Sequence, residues 1–387
     1  MFELMMSGGK VPAPPGKVAK IGTVDGGIVA LTDTGNMYTI SNLYTSGTGA
    51  KVTEWTLLGT GVSDFRCGYR AILWRTTDGK WMFVGANNYF GSLAANLYSP
   101  TDVTAQMDIL SALEIKQWDL SHTTMAVLYT SGMLRLRGLN NSGGCALGST
   151  ATGKNSWNSV NGPAKIVQFA LDYATLDTTY VLLEDGRVGG WGSGSQGQLG
   201  GAVANNTALT FIANAANTLN ADIIGGSQAL FVRRRHATMP NYHQIWSNGF
   251  QSSGSIGRGS GANSANPQSA LVAAPSVAIE DSPFVMGVYM AKFWGTNGRW
   301  NHTGNNPPAN GALSWNSGAY LGVFTEMPLE TQNPTKNWVF SRGSVNQSYF
   351  IEEGRLYGAG NTADGLLPGH LAGTLRTFEE LDTTPLI

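Results

Sequence analysis

The feature that most constrains this 387-residue chain is a hairpin pattern, clearest in residues 181–200. Residues 181–183 form an apolar run, residues 184–186 an acidic turn ending in glycine, and residues 187–191 a second run that ends on Trp191. A glycine-rich loop then leads to the sequence Gly-Gln-Leu-Gly at residues 197–200. Two β-rich runs on either side of a short turn ending in glycine predict a β-hairpin.

The same hairpin recurs along the chain. Successive turn glycines are separated by 44 to 56 residues, and an insertion alters the fifth hairpin, between the fourth and the sixth. After most hairpins a Gly-x-Asn or Gly-x-Gly corner precedes a leucine, which we expect to be buried beneath a loop. The seven hairpins lie at residues 28–40, 71–84, 126–137, 181–191, 229–246, 288–298 and 349–357.

Repeats of this period indicate a stacked or circular architecture. One sheet of four short strands cannot bury both of its faces, whereas seven sheets around an axis can, and only short edges then remain. We therefore predict an all-β fold, a seven-bladed β-propeller of four-stranded antiparallel blades. The propeller should occupy residues 17–387 as a single unit, after an extended arm at residues 1–16, with residues 201–220 as its longest linker.

Residues 181–200 resemble the repeat unit of the regulator-of-chromosome-condensation (RCC1-like) family, L-x-x-D-G-x-V-x-x-W-G-x-N/G-x-x-G-Q-L-G. By spacing the resemblance covers the whole chain, although most units lack the histidine that the family commonly has before this strand. The resemblance implies a propeller closed by a mixed last blade, which residues 17–24 or residues 377–381 would complete. It also implies a rigid binding disc, since known members engage chromatin, exchange nucleotide on a small GTPase, or inhibit enzymes.

Charge and hydropathy narrow the range of partners. Charged residues make up 13% of the chain, against roughly 25% in typical proteins, and the net charge is −1. We therefore expect no nucleic-acid partner, and a surface of neutral polar residues. No apolar run approaches the ~18 residues of a membrane span, and no secretory signal is apparent, so we expect no membrane insertion. Cys67 and Cys145 should be isolated, half-buried thiols.

The motifs that could carry chemistry lack their structural context. Residues 192–197 match G-x-G-x-x-G, but neither a helix pattern nor an acidic residue at the required distance follows. Residues 148–154 resemble the front of a P-loop, but Asn155 stands where Ser or Thr would hold Mg²⁺. The histidines are scattered and the acidic pairs fit turns. We therefore predict no catalytic residue, no cofactor and no metal site, in a protein that is not an enzyme.

One charge cluster is a candidate site for a partner. Arg233, Arg234, Arg235 and His236 come where the fifth hairpin is interrupted, and Tyr242 lies nearby. Arginine forks suit carboxylates and phosphates, so a protruding loop there would dock an acidic partner or a phosphate-bearing glycan. The alternative is a solvated hairpin tip.

Composition and resemblance together support three functional hypotheses. The first is a bacteriophage virion protein of the tail or baseplate, in an oligomeric assembly, that contacts other virion proteins or a cell-surface receptor or glycan. It would reside in the virion, and in the host cytoplasm during assembly. The second is a soluble, cytoplasmic RCC1-like regulator, either an exchange factor or an enzyme inhibitor. The third, an enzyme with its site at the propeller axis, has no motif in its favour.

Overall fold

A computed structural model of the chain describes sixteen stretches of sequence. They are residues 17–25, 27–41, 52–173, 177–200, 204–212, 220–226, 228–239, 241–250, 267–279, 284–286, 290–294, 299–304, 321–326, 337–340, 347–361 and 374–383. The predicted arm at residues 1–16, the histidine at position 370 and the turn at residues 295–298 lie outside them.

Within these stretches the strands form seven four-stranded antiparallel sheets, here called blades 1 to 7 in chain order. The strands of blades 1 and 2 are β1 Val18–Val24, β2 Gly27–Thr32, β3 Met37–Ser41, β4 Val52–Gly59, β5 Val62–Cys67, β6 Ala71–Thr76, β7 Trp81–Ala86 and β8 Asn96–Asp102. Those of blades 3 and 4 are β9 Ile115–Leu120, β10 Thr124–Tyr129, β11 Leu134–Gly138, β12 Asn158–Val160, β13 Ile166–Leu171, β14 Thr178–Leu183, β15 Val188–Gly192 and β16 Asn206–Phe211.

The remaining three blades follow the same plan. Their strands are β17 Asn220–Gly225, β18 Ala229–Arg235, β19 Tyr242–Phe250, β20 Pro267–Ile279, β21 Phe284–Met286, β22 Met290–Trp294, β23 Trp300–Gly304, β24 Leu321–Glu326, β25 Asn337–Phe340, β26 Gln347–Glu352, β27 Arg355–Asn361 and β28 Thr374–Glu380. The all-β fold of four-stranded antiparallel blades predicted from the repeats is confirmed.

Each blade is a meander of four strands that are consecutive in sequence. The expectation of a mixed last blade is therefore wrong, because β1 pairs with β2 in blade 1 and β28 pairs with β27 in blade 7. Blades 1 and 7 instead meet through side chains and a few hydrogen bonds. The backbone N–H of Val18 donates to the carbonyl oxygen of Gly354 at 3.1 Å, and Ile21 and Tyr349 share one apolar cluster.

The central hairpins turn where the sequence predicts. Five turn glycines lie in the left-handed region, with φ between 80° and 93°, which glycine reaches without the steric penalty of a side chain. These are Gly35, Gly79, Gly132, Gly186 and Gly354. In the fifth hairpin the insertion separates β18 from β19, and the two strands pair from Ala229 with Gly249 to Arg235 with His243.

Apolar side chains fill the spaces between neighbouring blades. Strands β2, β10 and β14 are buried at every position, as expected for inner strands covered on both faces. Trp191 is fully buried and its Nε1–H donates to the carbonyl oxygen of Gly144 at 2.8 Å, which joins blade 4 to a loop of blade 3.

The corner leucine is buried in only some repeats. Leu199 is 1% exposed, as predicted, whereas Leu147 is 36% exposed and Cys145, two residues earlier, is fully buried. The corner asparagine holds its loop together in blade 3, since the Asn140 amide donates to the carbonyls of Ser149 and Ala151.

The predicted linker and the helix content differ in how well they were anticipated. Residues 201–220 are not simply a linker, because Asn206–Phe211 form β16, the fourth strand of blade 4. In the described part of the chain helix is confined to α1, Thr104–Met107, which is far too short to cross a membrane.

Candidate functional site

The first strands of the blades lie side by side around the centre of the fold. Strand β1 contacts β5, β5 contacts β9, β9 contacts β13, and β13 contacts β17; β21 contacts β25, which in turn contacts β1. In blades 1 to 5 these first strands alternate buried apolar residues with partly exposed ones.

A polar side chain precedes the central buried residue of each of these strands in blades 1 to 5. In two of them it is a glutamine that pairs with the backbone of the next blade. Gln117 Nε2 donates to the carbonyl of Phe169 at 2.9 Å, and its Oε1 accepts from the N–H of Phe169 at 3.2 Å. Gln168 makes the same two bonds to Ile223, at 3.1 and 2.9 Å. The full set is Lys20, Asp64, Gln117, Gln168 and Asp222.

At the junction of blades 1 and 2 this position carries charge. Lys20 Nζ contacts the Asp64 carboxylate and donates to the carbonyl of Phe65 at 2.9 Å, while Arg66 Nη1 donates to both Asp64 oxygens at 2.8 Å. Burial alone would raise the pKa of Asp64, but Lys20 and Arg66 hold it below its ordinary value. The pKa of Lys20 is lowered, first by burial and then by Arg66.

A buried carboxylate joins blades 3 and 4. Asp177 is 1% exposed and accepts hydrogen bonds from the hydroxyls of Thr123 and Thr124 at 3.1 and 2.6 Å. It also accepts from the backbone N–H groups of Ser142 and Gly144 at 3.2 and 3.1 Å. With four donors around it, this carboxylate is a structural link between the blades.

The arginine cluster is not the protruding loop that the sequence predicts. Arg233, Arg234 and Arg235 lie inside strand β18, and the interruption begins only at His236. Arg233 Nε donates to Asp222 at 2.9 Å, and Arg234 is 8% exposed, because its guanidinium stacks 4.0 Å from the centre of the Trp246 ring.

The rest of the cluster divides between the strand end and the insertion. Arg235 is exposed, His236 is half-buried at the start of the insertion, and Tyr242 is half-buried at the start of β19. Strand pairing therefore separates the five predicted contact residues into two that are covered by neighbouring side chains, Arg233 and Arg234, and three at the outer end of the hairpin.

The glycine motifs and the cysteines occupy ordinary places in the fold. The loop at residues 192–197 leads to strand β16 and the loop at residues 148–154 leads to strand β12, so neither provides the helix that a phosphate site requires. Cys67 and Cys145 are separate buried thiols, and burial raises the pKa of Cys145. Among the described residues no three His, Cys, Asp or Glu side chains lie close enough to hold a metal ion.

A cavity that the sequence does not predict lies between the α1 connection and the outer half of blade 3. It has a volume of about 440 Å³, and two arginines at alternate positions of β11 project into its lining. Arg135 and Arg137 are 7% and 5% exposed. The remaining lining comes from the connection between β7 and β8, from α1 with the residue after it, and from the segment before β12: Ser92, Ala105, Gln106, Asp108, Asn155, Ser156 and Trp157.

Each arginine is held against an aromatic ring. The Arg135 guanidinium lies 5.2 Å from the centre of the Trp157 ring, and that of Arg137 lies 5.0 Å from the Phe90 ring. The sequence does contain a signal for Arg137. This arginine follows its turn glycine by the same number of residues as three buried apolar residues follow theirs in other blades. Those residues are Ile40, Val84 and Trp191.

The seven four-stranded sheets of the described residues have the fold of a β-propeller similar to that of RCC1. The chain is similar to Prp20p from Saccharomyces cerevisiae, described with its binding to Gsp1p and histones. The TM-score is 0.65 and the identity 14%, over 88% of this chain and 82% of that chain. A structure of Kap60 bound to yeast RCC1 (Prp20) gives a TM-score of 0.66 at 15% identity, over 97% and 86% of the two chains.

Human WBSCR16 is similar to the same degree, with a TM-score of 0.65 at 14% identity over 86% of each chain. No family model matches the sequence, and no curated protein does. At these identities the likeness establishes the fold.

Proposed function

We propose that this protein is a non-enzymatic binding and structural component of a bacteriophage virion, located in the tail or baseplate. It would use the propeller as a rigid disc that contacts other virion proteins or a cell-surface receptor, protein or glycan. The protein would assemble in the host cytoplasm and remain in the virion.

The observation that carries the binding role is the hydrogen bonding between blades. Gln117, Gln168 and Asp177 each join two neighbouring blades through side-chain bonds to the other blade's groups. Polar groups used in this way make a stiff platform, and loops on a rigid scaffold are well placed to bind partners. The virion assignment rests on composition, a sequence with few charged residues and many neutral polar ones.

Mass spectrometry of purified virions tests the assignment. We expect peptides of this protein to co-purify with the particles through a density gradient and to resist removal by a salt wash. Their absence from particles that contain the known tail proteins would contradict the proposal.

The second candidate, a soluble regulator, is favoured by one observation, the likeness of the fold to Prp20p, a protein that binds Gsp1p. A nucleotide-release assay with fluorescent GDP on small GTPases of the host tests it. Accelerated release would favour the regulator, and the expected result under the virion proposal is no acceleration.

A further inference from the structure

The cavity beside β11 keeps two positive charges out of water with little negative charge nearby. Arg137 occupies a repeat position that holds a buried apolar residue in blades 1, 2 and 4, and a guanidinium buried there costs stability unless something compensates it. The acidic residue that lines the cavity is Asp108, whose carboxylate lies 3.3 Å from Arg135 Nη2 and whose side chain is 74% exposed. The lining therefore carries two cations and one largely solvated anion.

Both guanidinium groups retain unused donors. A guanidinium has five N–H bonds. Arg137 uses Nε, towards the carbonyls of Tyr89 and Lys154, and Nη1, towards the carbonyl of Gln106; within the described part of the chain its Nη2 donates to no residue. Arg135 donates from Nη1 to the carbonyl of Asp108 and from Nη2 to its carboxylate, and one N–H on each of these nitrogens remains.

We propose that this cavity binds the carboxylate of an acidic sugar in a surface glycan. Two arginine forks at alternate strand positions suit the planar, bidentate geometry of a carboxylate. The exposed side chains of Asn155 and Ser156, with Gln106 opposite, provide partners for sugar hydroxyls, and the half-buried Trp157 provides an apolar face for the ring. The volume of about 440 Å³ lies within the range usual for small-ligand pockets.

The electrostatics agree with this geometry. Burial, and after it the charge of Arg135, lowers the pKa of Arg137 from its ordinary value, so a bound anion would relieve an unfavourable environment. In one respect the inference rests on the proposed function, namely that the ligand is a cell-surface glycan. The two are tested separately, because glycan binding is measured on the purified protein and virion membership on particles.

The test is calorimetric titration of the full-length protein with two oligosaccharides that differ in charge. A hyaluronan tetrasaccharide carries glucuronate carboxylates, and chitotetraose is a neutral counterpart of the same length. We expect the acidic sugar to bind at least about tenfold more tightly than the neutral one, and its affinity to fall as salt is raised.

Two variants locate the binding. Ser156→Trp fills the mouth of the cavity from an exposed position and should abolish binding without unfolding the protein, whereas Arg137→Met removes one fork and should weaken binding about tenfold or more. The matched control is Thr77→Trp, an exposed residue on a second cavity, of about 360 Å³, between blades 1 and 2, which should leave binding unchanged.

Three outcomes would overturn the inference. They are equal affinity for the two oligosaccharides, unchanged binding by the folded S156W protein, and no binding of the acidic sugar at millimolar concentration. A peptide with a free terminal carboxylate is included as a further probe, and its binding in place of the sugar would overturn the assignment to a glycan.

Discussion

The side-chain amide of Gln117 in blade 3 forms two hydrogen bonds with the backbone of Phe169 in blade 4, one to its carbonyl at 2.9 Å and one from its N–H at 3.2 Å. The amide thus continues the hydrogen-bond pattern of a sheet across the gap between two sheets. Gln168 repeats the arrangement with Ile223 one blade further on. At the boundaries of blades 3 and 4 and of blades 4 and 5, a glutamine at the same repeat position therefore ties one blade to the backbone of the next.

Replacing Gln117 with alanine should destabilise the protein by about 1–3 kcal/mol, because two partly buried backbone groups lose their partners. Urea unfolding followed by tryptophan fluorescence gives the free energy. The matched control is Lys116→Ala, one residue earlier and exposed, which should change the free energy of unfolding by less than about 0.5 kcal/mol. Equal effects of the two substitutions would show that the pairing of the Gln117 amide with Phe169 does not stabilise the protein.

The Asp64 carboxylate should make the free energy of unfolding depend on pH in the acidic range. Its pKa is lower in the folded protein than in the unfolded chain, so its stabilising effect is present above the ordinary aspartate value of about 3.9 and is lost as the pH falls through the folded value. Wild-type protein should therefore be more stable than Asp64→Asn at pH 7, and the difference should shrink below about pH 4. A difference that stays constant or grows on acidification would contradict the contacts with Lys20 and Arg66.

Substitutions at two glycines distinguish the cost of a left-handed backbone conformation from the cost of a steric clash. Gly79 has φ of 88° and open space where a Cβ would lie, so Gly79→Ala should cost only the conformational penalty, about 1 kcal/mol. Gly192 has φ of 108°, and its Cβ would lie 1.9 Å from the carbonyl oxygen of Asp177, so Gly192→Ala should cost more than about 3 kcal/mol. Thermal unfolding midpoints compare them, and similar losses would be inconsistent with the close approach at Gly192.

Two variants of the arginine cluster distinguish a role in stabilising the fold from a role in binding a partner. Arg234→Ala removes a buried guanidinium that stacks on Trp246 and donates to Asn220 at 2.8 Å, so it should cost about 1–3 kcal/mol in urea unfolding. Arg235→Ala, at the exposed end of the strand, should leave the unfolding midpoint nearly unchanged. Unchanged stability of Arg234→Ala would contradict its role in packing, and loss of partner binding in Arg235→Ala alone would support docking at this end of the hairpin.

Much of the fold follows from the sequence because one local signal is repeated. A turn glycine such as Gly186 needs the left-handed region, and it stands between runs long enough for one strand each. The fourth strands are harder to predict, since in blades 1 to 4 they are more exposed than the inner strands and do not follow a tight turn. Strand β16 lies in a segment whose alanine and asparagine content is typical of a linker, and only its pairing with β15 makes it a strand.

The sites depend on contacts that are distant in sequence. Arg233 and Arg234 resemble a solvated tip in composition, and their side chains are covered only because β17 supplies Asp222 and β19 supplies Trp246. The partners of Gln117 and Asp177 lie about fifty residues or fewer away in the neighbouring blade, beyond any local pattern. Alignment of the repeats would have helped, since Arg137 is a charged residue at a position that is apolar in blades 1, 2 and 4.

Since every blade uses four consecutive strands, no blade depends on a strand from elsewhere in the chain. At the boundary between blades 7 and 1, where Val18 donates to Gly354, the two blades share no strand. A circularly permuted chain that starts at β5 and joins the end of blade 7 to β1 through a short linker would preserve every sheet. The folded propeller therefore does not depend on which blade is synthesised first.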